Sequence, residues 1–222
     1  MVNAVWPHRH VFITPMAAVA GAVADEMLKA MIAGRDLERA FVNDGGDIAI
    51  HLAPGASMRV GVAGTDAAGE PDPSLDGFAT VGFDSPVRGV VTSGRGGRSL
   101  SRGIADSVTV LAHDAAAADA AATMIGNAVD IDHPAIQRRP ANQVKDDSDL
   151  GDLLVTVGVG ALEAGAIAEA LDAGAAEARR LLDVGLIDGA LIRLRGAQRV
   201  VGRAADLNEL PYTPTNKLRM RA

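Results

Sequence analysis

Residues 115–130, AAAADAAATMIGNAVD, constrain the fold more than any other stretch of this chain. Asp114 can cap a helix here, and that helix carries polar side chains only at Asp119, Thr123 and Asn127, spaced i, i+4 and i+8 on one face. An exposed helix face normally bears long charged residues, as the later stretch 162–184 does with Glu163, Glu169, Glu177, Arg179 and Arg180. The earlier helix has none, so the fold must wrap it and its polar stripe must face something. Two readings stay open. One is a small solvated face; the other is a site where the Asp119 carboxylate and the Thr123 hydroxyl, one turn apart, offer oxygen ligands to a hard cation such as Mg2+ or Ca2+.

Thr14-Pro15 followed by MAAVAGAVADEMLKAMIAG predicts an N-cap, a proline at the first helical position and one long helix ending at Gly34. Its first half, 16–24, is apolar all round and is expected to be buried on every side. Strands at 40–42 and 47–52 should form a hairpin through Asn43, Asp44, Gly45 and Gly46, residues that tolerate the left-handed backbone of such turns. MRVGVAG, GFATVGF and VRGVVTS continue the strand pattern, and 66–76, with Gly69, Pro71 and Pro73, reads as a surface loop. ADSVTVLA is a strand, 133–152 reads as irregular, and LLVTVGV, ALIRLRG and QRVVG are strands around the helix 162–184. Hairpins interleaved with helices predict the α+β class, mixed sheets packed on buried helices. The length suits a single domain, or two packed halves at 1–130 and 131–205, ahead of a tail at 206–222.

Composition removes whole classes of function. With no cysteine, the chain has no disulfide, thiolate zinc site, iron–sulfur cluster or cysteine nucleophile. A net charge of −7 is wrong for a nucleic-acid binder, and no apolar run reaches the roughly 20 residues that span a bilayer. Residues 1–11 lack the apolar core of a secretory signal, which places the expected location in the cytoplasm. The only lysines, Lys29, Lys145 and Lys217, lie outside every candidate motif, which disfavours Schiff-base chemistry. His8 and His10 alternate as on a strand and could reach one metal, whereas His51, His113 and His133 are scattered.

Two glycine-rich segments are the remaining candidates. VNDGGD at 42–47 is a hairpin turn or a place where backbone approaches a ligand, with Asp44 or Asp47 accepting hydrogen bonds from it. The stretch from Thr92, Ser93 and Gly94 to Gly103 is a solvated loop or an anion nest, with Arg95, Arg98 or Arg102 gripping phosphate or carboxylate.

In this order the motifs resemble those of the ApbE superfamily, whose best-known members are Mg2+-dependent FAD:protein FMN transferases. MAAVAGAVAD (16–25) is similar to the family's GGIAKGYAVD-type helix start, VNDGGD to its NxGGD turn, Thr92-Ser93-Gly94 to its TSG strand end, and ADAAAT (118–123) to its ADxxxT element. The resemblance implies metal ligation by Asp119 and Thr123, aided by a backbone carbonyl near 18–20, and a ligand held by Asn43, Asp44, Gly45, Gly46, Asp47, Thr92, Ser93, Gly94, Arg95 and Arg98. It admits FAD or FMN as that ligand. The chain departs from the transferases at Ala20, where they have Lys, at Ala22, where they have Tyr, and in lacking a His-x-x-Asp-Pro-x-x-Gly segment before ADxxxT. It looks most like the shorter, cytoplasmic branch of the superfamily. The expectation is a divalent-metal enzyme acting on a flavin-like, nucleotide-like or small anionic ligand, with a homodimer among its assemblies. The alternatives are a non-catalytic binding or accessory protein keeping the pocket, and a metabolic enzyme acting on a ring acid.

Overall fold

The computed structural model describes residues 1–65 and 71–202; the expected tail at 206–222 and the first part of the expected loop at 66–76 fall outside them. Its centre is a six-stranded sheet. In chain order the strands are β1 (Arg39–Asp44), β2 (Asp47–Leu52), β3 (Ser57–Thr65), β4 (Pro71–Gly82), β5 (Gly89–Ser93), β6 (Ser107–Ala112), β7 (Ile136–Pro140), β8 (Leu154–Val159), β9 (Gly189–Leu194) and β10 (Ala197–Gly202). The main sheet runs β1-β2-β5-β6-β9-β10, while β3-β4 and β7-β8 form separate two-stranded sheets. Every recorded ladder is antiparallel. With the helices this gives the expected α+β class.

A short helix α1 (Val2–Val5) opens the chain, and α2 (Val19–Ile32), α3 (Ala115–Ala128) and α4 (Ala164–Asp183) line up along the sheet. Helix α2 lies against β1 and β2, α3 against β5 and β6, and α4 against β9 and β10, with α3 touching both other helices. The main core joins Ala24 and Leu28 of α2, Ala118 and Ile125 of α3, Leu171 and Leu181 of α4 and Val108, Val110 and Ile192 of the sheet. Residues of 1–130 and of 131–202 share it. A second cluster packs Ile50, Leu52, Val90 and Leu111 against Val60, Ala79 and Val81 of β3 and β4. Strand β6 is therefore buried along its whole length, which its run of small and β-branched residues suits.

Several expectations need correction. The helix foreseen from Pro15 is interrupted: 3₁₀ turn Pro15–Ala18 comes first, Thr14 makes no side-chain cap, and α2 begins only at Val19. Nor is its first half buried all round, because Met16 and Val23 are exposed and the buried residues of the helix are Gly21, Ala24 and Leu28. Uniform hydrophobicity marked no side as inner; packing on α3 and the sheet chose the side with the smallest residues. The loop foreseen at 66–76 gives way to strand β4 from Pro71 onward. The stretch 133–152 contains β7, whose alternating burial fits Ile136 to the inside, and Pro140 is accommodated because it ends the strand. His8 and His10 do not share a strand: His8 ends a 3₁₀ turn and is buried, whereas His10 is exposed. Among the described residues, no helix is long and apolar enough to cross a membrane.

Candidate functional site

The three polar residues of α3 face a cavity of about 510 Å³. Asp119, Thr123 and Asn127 line it from α3, Asp47 from the start of β2, Ser93 from the end of β5, and Gly94, Arg98 and Arg102 from the loop that follows. The opposite wall combines Phe12, Ile13 and Thr14 of the N-terminal segment with 147–150 and Lys145 of the β7–β8 connection. A hydrogen bond from the Thr14 hydroxyl to the Asp149 carboxylate ties those two segments together.

Asp119 owes its position to a reciprocal arrangement of the two long helices. The first N–H groups of a helix have no intrahelical partner, and α2 begins after Ala18, which has no side chain to cap them. Asp119 reaches across from α3 to accept the Gly21 N–H at 3.1 Å, with the Ala20 N–H as a further donor. In return Asp25 of α2 accepts the Ala115 and Ala116 N–H groups of α3 at 3.1 and 2.9 Å, while Asp114 caps Ala117 as foreseen. Close crossing makes this exchange possible. A Cβ on Gly21 would stand 2.3 Å from the Ala115 carbonyl oxygen, so only glycine fits there.

Asp47 arrives from the other side. The hairpin turns tightly at Gly45 and Gly46, both with positive φ, and Asn43 accepts the Gly46 N–H at 2.8 Å. The turn delivers Asp47 as the first residue of β2, only 7% exposed and hydrogen-bonded side chain to side chain with Asp119. Burial is the first cause that lifts both carboxyl groups above the ordinary range. Asp47, further raised by the neighbouring Asp119 charge, is pushed up to about 8. Asp119, held down by the Gly21 N–H and by Asp47, rises less, to about 6. Burial and mutual repulsion thus raise the pair as a unit, so that it gives up its last proton well above the ordinary carboxylate range.

The expected site residues are thus divided. Asp47, Ser93, Gly94, Arg98, Asp119 and Thr123 come together on the cavity wall; Asn43, Asp44, Gly45, Gly46, Thr92 and Arg95 are not part of its lining. Asn43, Gly45 and Gly46 build the turn, and Asp44 stands 3.8 Å from the Arg98 guanidinium, which lies over Gly45. Thr92 is hydrogen-bonded to Thr109 at 2.8 Å across β5 and β6. Arg95 is held by Asp106 at 2.9 Å, so its guanidinium serves the fold. Nothing in the sequence announces the contributions of Phe12, Thr14, Lys145 and Asp149: Thr14 reads as a helix cap, and the irregular polar stretch 133–152 carries no signal of what it will cover. All acidic and hydroxyl donors here are oxygen, which suits a hard cation that keeps some waters; among the described residues no group of three or more His, Cys, Asp or Glu side chains is gathered for a metal.

Comparison with known sequences adds the family. A UPF0280 protein of Methanopyrus kandleri is 40% identical over 145 residues, which are 64% of this chain and 54% of that protein. UPF0280 proteins of Archaeoglobus fulgidus (40% over 118 residues, 53% of this chain and 45% of theirs) and Methanothrix thermoacetophila (42% over 119 residues, 53% and 46%) are similar in the same way. The chain spans about half the length of the curated relatives it matches. The family model described as AbpE bacteria matches residues 1–200, nearly the whole described fold, and the chain belongs to that family.

Proposed function

We propose that this protein is an ApbE-like enzyme that binds a divalent cation beside Asp119 and Thr123 and acts on a flavin-like, nucleotide-like or other compact anionic ligand in the cavity. The observation that carries the reading is the convergence on one cavity of two buried carboxyl groups from separate elements, Asp47 and Asp119, with Thr123 one helical turn further along α3. Two like charges this close require a proton or a cation between them. Bound there, Mg2+ or Ca2+ would polarise a phosphoryl or carbonyl oxygen of the ligand. Asp119 would hold it, fixed in place by the Gly21 N–H, and the Thr123 hydroxyl would add a neutral oxygen. Arg98, steadied by Asp44, would take the ligand's anionic group, with Asp47 orienting what lies beneath it.

A second reading has its own support. Since Asp119 already caps α2, the pair can be a structural device in a protein that binds a ligand without transforming it. AMP release from FAD in the presence of Mg2+, compared between the wild type and Asp119→Ala, separates the two. Metal-dependent AMP that disappears in the variant supports the enzyme. No AMP from folded wild type, together with Mn2+ affinity unchanged in the variant, sinks the metal site and leaves the binding protein.

A further inference from the structure

Asn127, the last member of the α3 stripe, stands about 12 Å along the helix from Asp119 at the usual helical rise. A second cavity of about 360 Å³ opens at that end, with Met124, Ala128 and Leu154 in its lining. Phe12, Arg102 and Asn127 belong to the linings of both cavities and so form their junction. Asn127 Oδ1 accepts the Arg102 N–H at 3.0 Å, and the Arg102 carbonyl accepts the Thr156 hydroxyl at 3.3 Å, which fixes the backbone there. With its oxygen committed, the Asn127 amide has only its NH2 end to offer, and that end has no acceptor among the described residues. Nor does the Arg102 guanidinium have a hydrogen bond or ion pair among them. Both residues are half-buried.

The other charges of the second cavity are matched. Asp130 is bonded to Arg138, and Glu177 gives its two oxygens to Arg180 at 2.8 and 2.7 Å. His10, the remaining titratable group of that lining, is exposed. Arg102 is left as the cation with no acid of its own, and its charge reaches into this cavity: burial raises the Asp130 carboxyl, and Arg102 is among the groups that oppose the rise. We propose that Arg102 and Asn127 form an oxyanion subsite at the junction, where the guanidinium and the Asn127 NH2 hold a carboxylate or phosphate of the ligand while an apolar arm of the same ligand lies over Met124, Ala128 and Leu154. The ligand is then elongated, with its oxyanion at the waist between two chambers. The subsite deepens the function proposed for the first cavity, since it sets the length of a ligand whose reacting end lies at Asp119. Its own binding does not need the cation.

NMR titration of the isotope-labelled full chain in EDTA tests the subsite apart from any metal. The probes are phenyl phosphate and phenylacetate, which carry an arm, and inorganic phosphate and acetate, which do not. At least one armed probe should shift the Asn127 side-chain NH2 resonance saturably with a Kd of about 1 mM or tighter, and its bare counterpart should bind about fivefold more weakly. Whichever armed probe binds tighter identifies the oxyanion. Arg102→Met should weaken that probe at least about tenfold. Asn127→Asp keeps an oxygen for the Arg102 N–H but replaces the NH2 donors with a negative charge, so it should weaken the probe as much while circular dichroism and the thermal midpoint stay near those of the wild type. An Asn127 resonance unmoved at about 20 mM of either armed probe overturns the proposal. Affinity that survives Arg102→Met, or armed and bare anions that bind alike, overturns it equally. With no divalent ion present, a failed metal site at Asp119 leaves these results unchanged, and a failed subsite leaves Mn2+ affinity unchanged.

Discussion

Asp25 and Asp119 do the same job on opposite helices, yet only one of them opens on the cavity. Asp25 gives one carboxylate oxygen to the Ala115 N–H and the other to Ala116, and it lies outside the cavity lining. Asp119 gives one oxygen to Gly21, shares a hydrogen bond with Asp47, and opens on the cavity. Burial raises both groups and backbone N–H donors moderate both; what differs is the company, since Asp119 has the Asp47 carboxyl as a hydrogen-bond partner and Asp25 has no acid bonded to it. A carboxylate that spends both oxygens on backbone away from any cavity is a structural part; one that opens on a cavity beside a second acid is a candidate for more.

Four measurements bear on that contrast. Replacing Asp25 with Ala should have the largest effect on stability, about 2–4 kcal/mol in urea unfolding, because two part-buried N–H groups lose their acceptor; Mn2+ affinity should be unchanged. Asp119→Ala also strands two N–H groups, those of Ala20 and Gly21, but relieves the repulsion on Asp47. It should therefore cost less stability, about 1–2 kcal/mol, yet abolish or weaken Mn2+ binding at least about tenfold in calorimetry. If the two variants behaved alike in both assays, the distinction drawn between them would fail. For Asp47→Asn without divalent ions, the sign follows from proton uptake. Its folded pKa is raised from 3.8 to about 8, so the folded chain binds more protons than the unfolded one across that window, and stability falls as pH rises through it. The amide removes this penalty. It should stabilise the protein by about 1–2 kcal/mol at pH 8 and by nothing measurable at pH 4, and thermal melts at the two pH values would show whether the gain vanishes. Smallest is Thr123→Val, with stability changed by about 0.5 kcal/mol or less and Mn2+ affinity reduced a few-fold.

Local chemistry made parts of this legible in advance. The Asn43 to Asp47 hairpin and the Asp114 cap are contained within a few residues, and both form as read. The stripe of Asp119, Thr123 and Asn127 was visible because helical periodicity is itself local, and the cavity is what it faces. Asp25 as a cap was invisible, since its partners stand 90 and 91 residues away. The arginine-rich loop offered three equivalent guanidiniums, and nothing nearby in sequence told that Asp106 would engage Arg95 while Arg98 and Arg102 turned to the cavity. Helix α2 misled for another reason: where alanine, glycine and valine populate every side, composition does not distinguish the packed half from the bare one.

The missing methyl at Gly21 acts as a gauge. It sets how near α2 comes to the Ala115 carbonyl, and that spacing fixes whether the Gly21 N–H can reach Asp119 and hence how Asp119 meets Asp47. A side chain there would be registered first as an altered distance between two carboxyl groups, before it was felt as a looser core. In this protein the geometry of the carboxyl pair is calibrated by helix packing, so changes that retune one will detune the other.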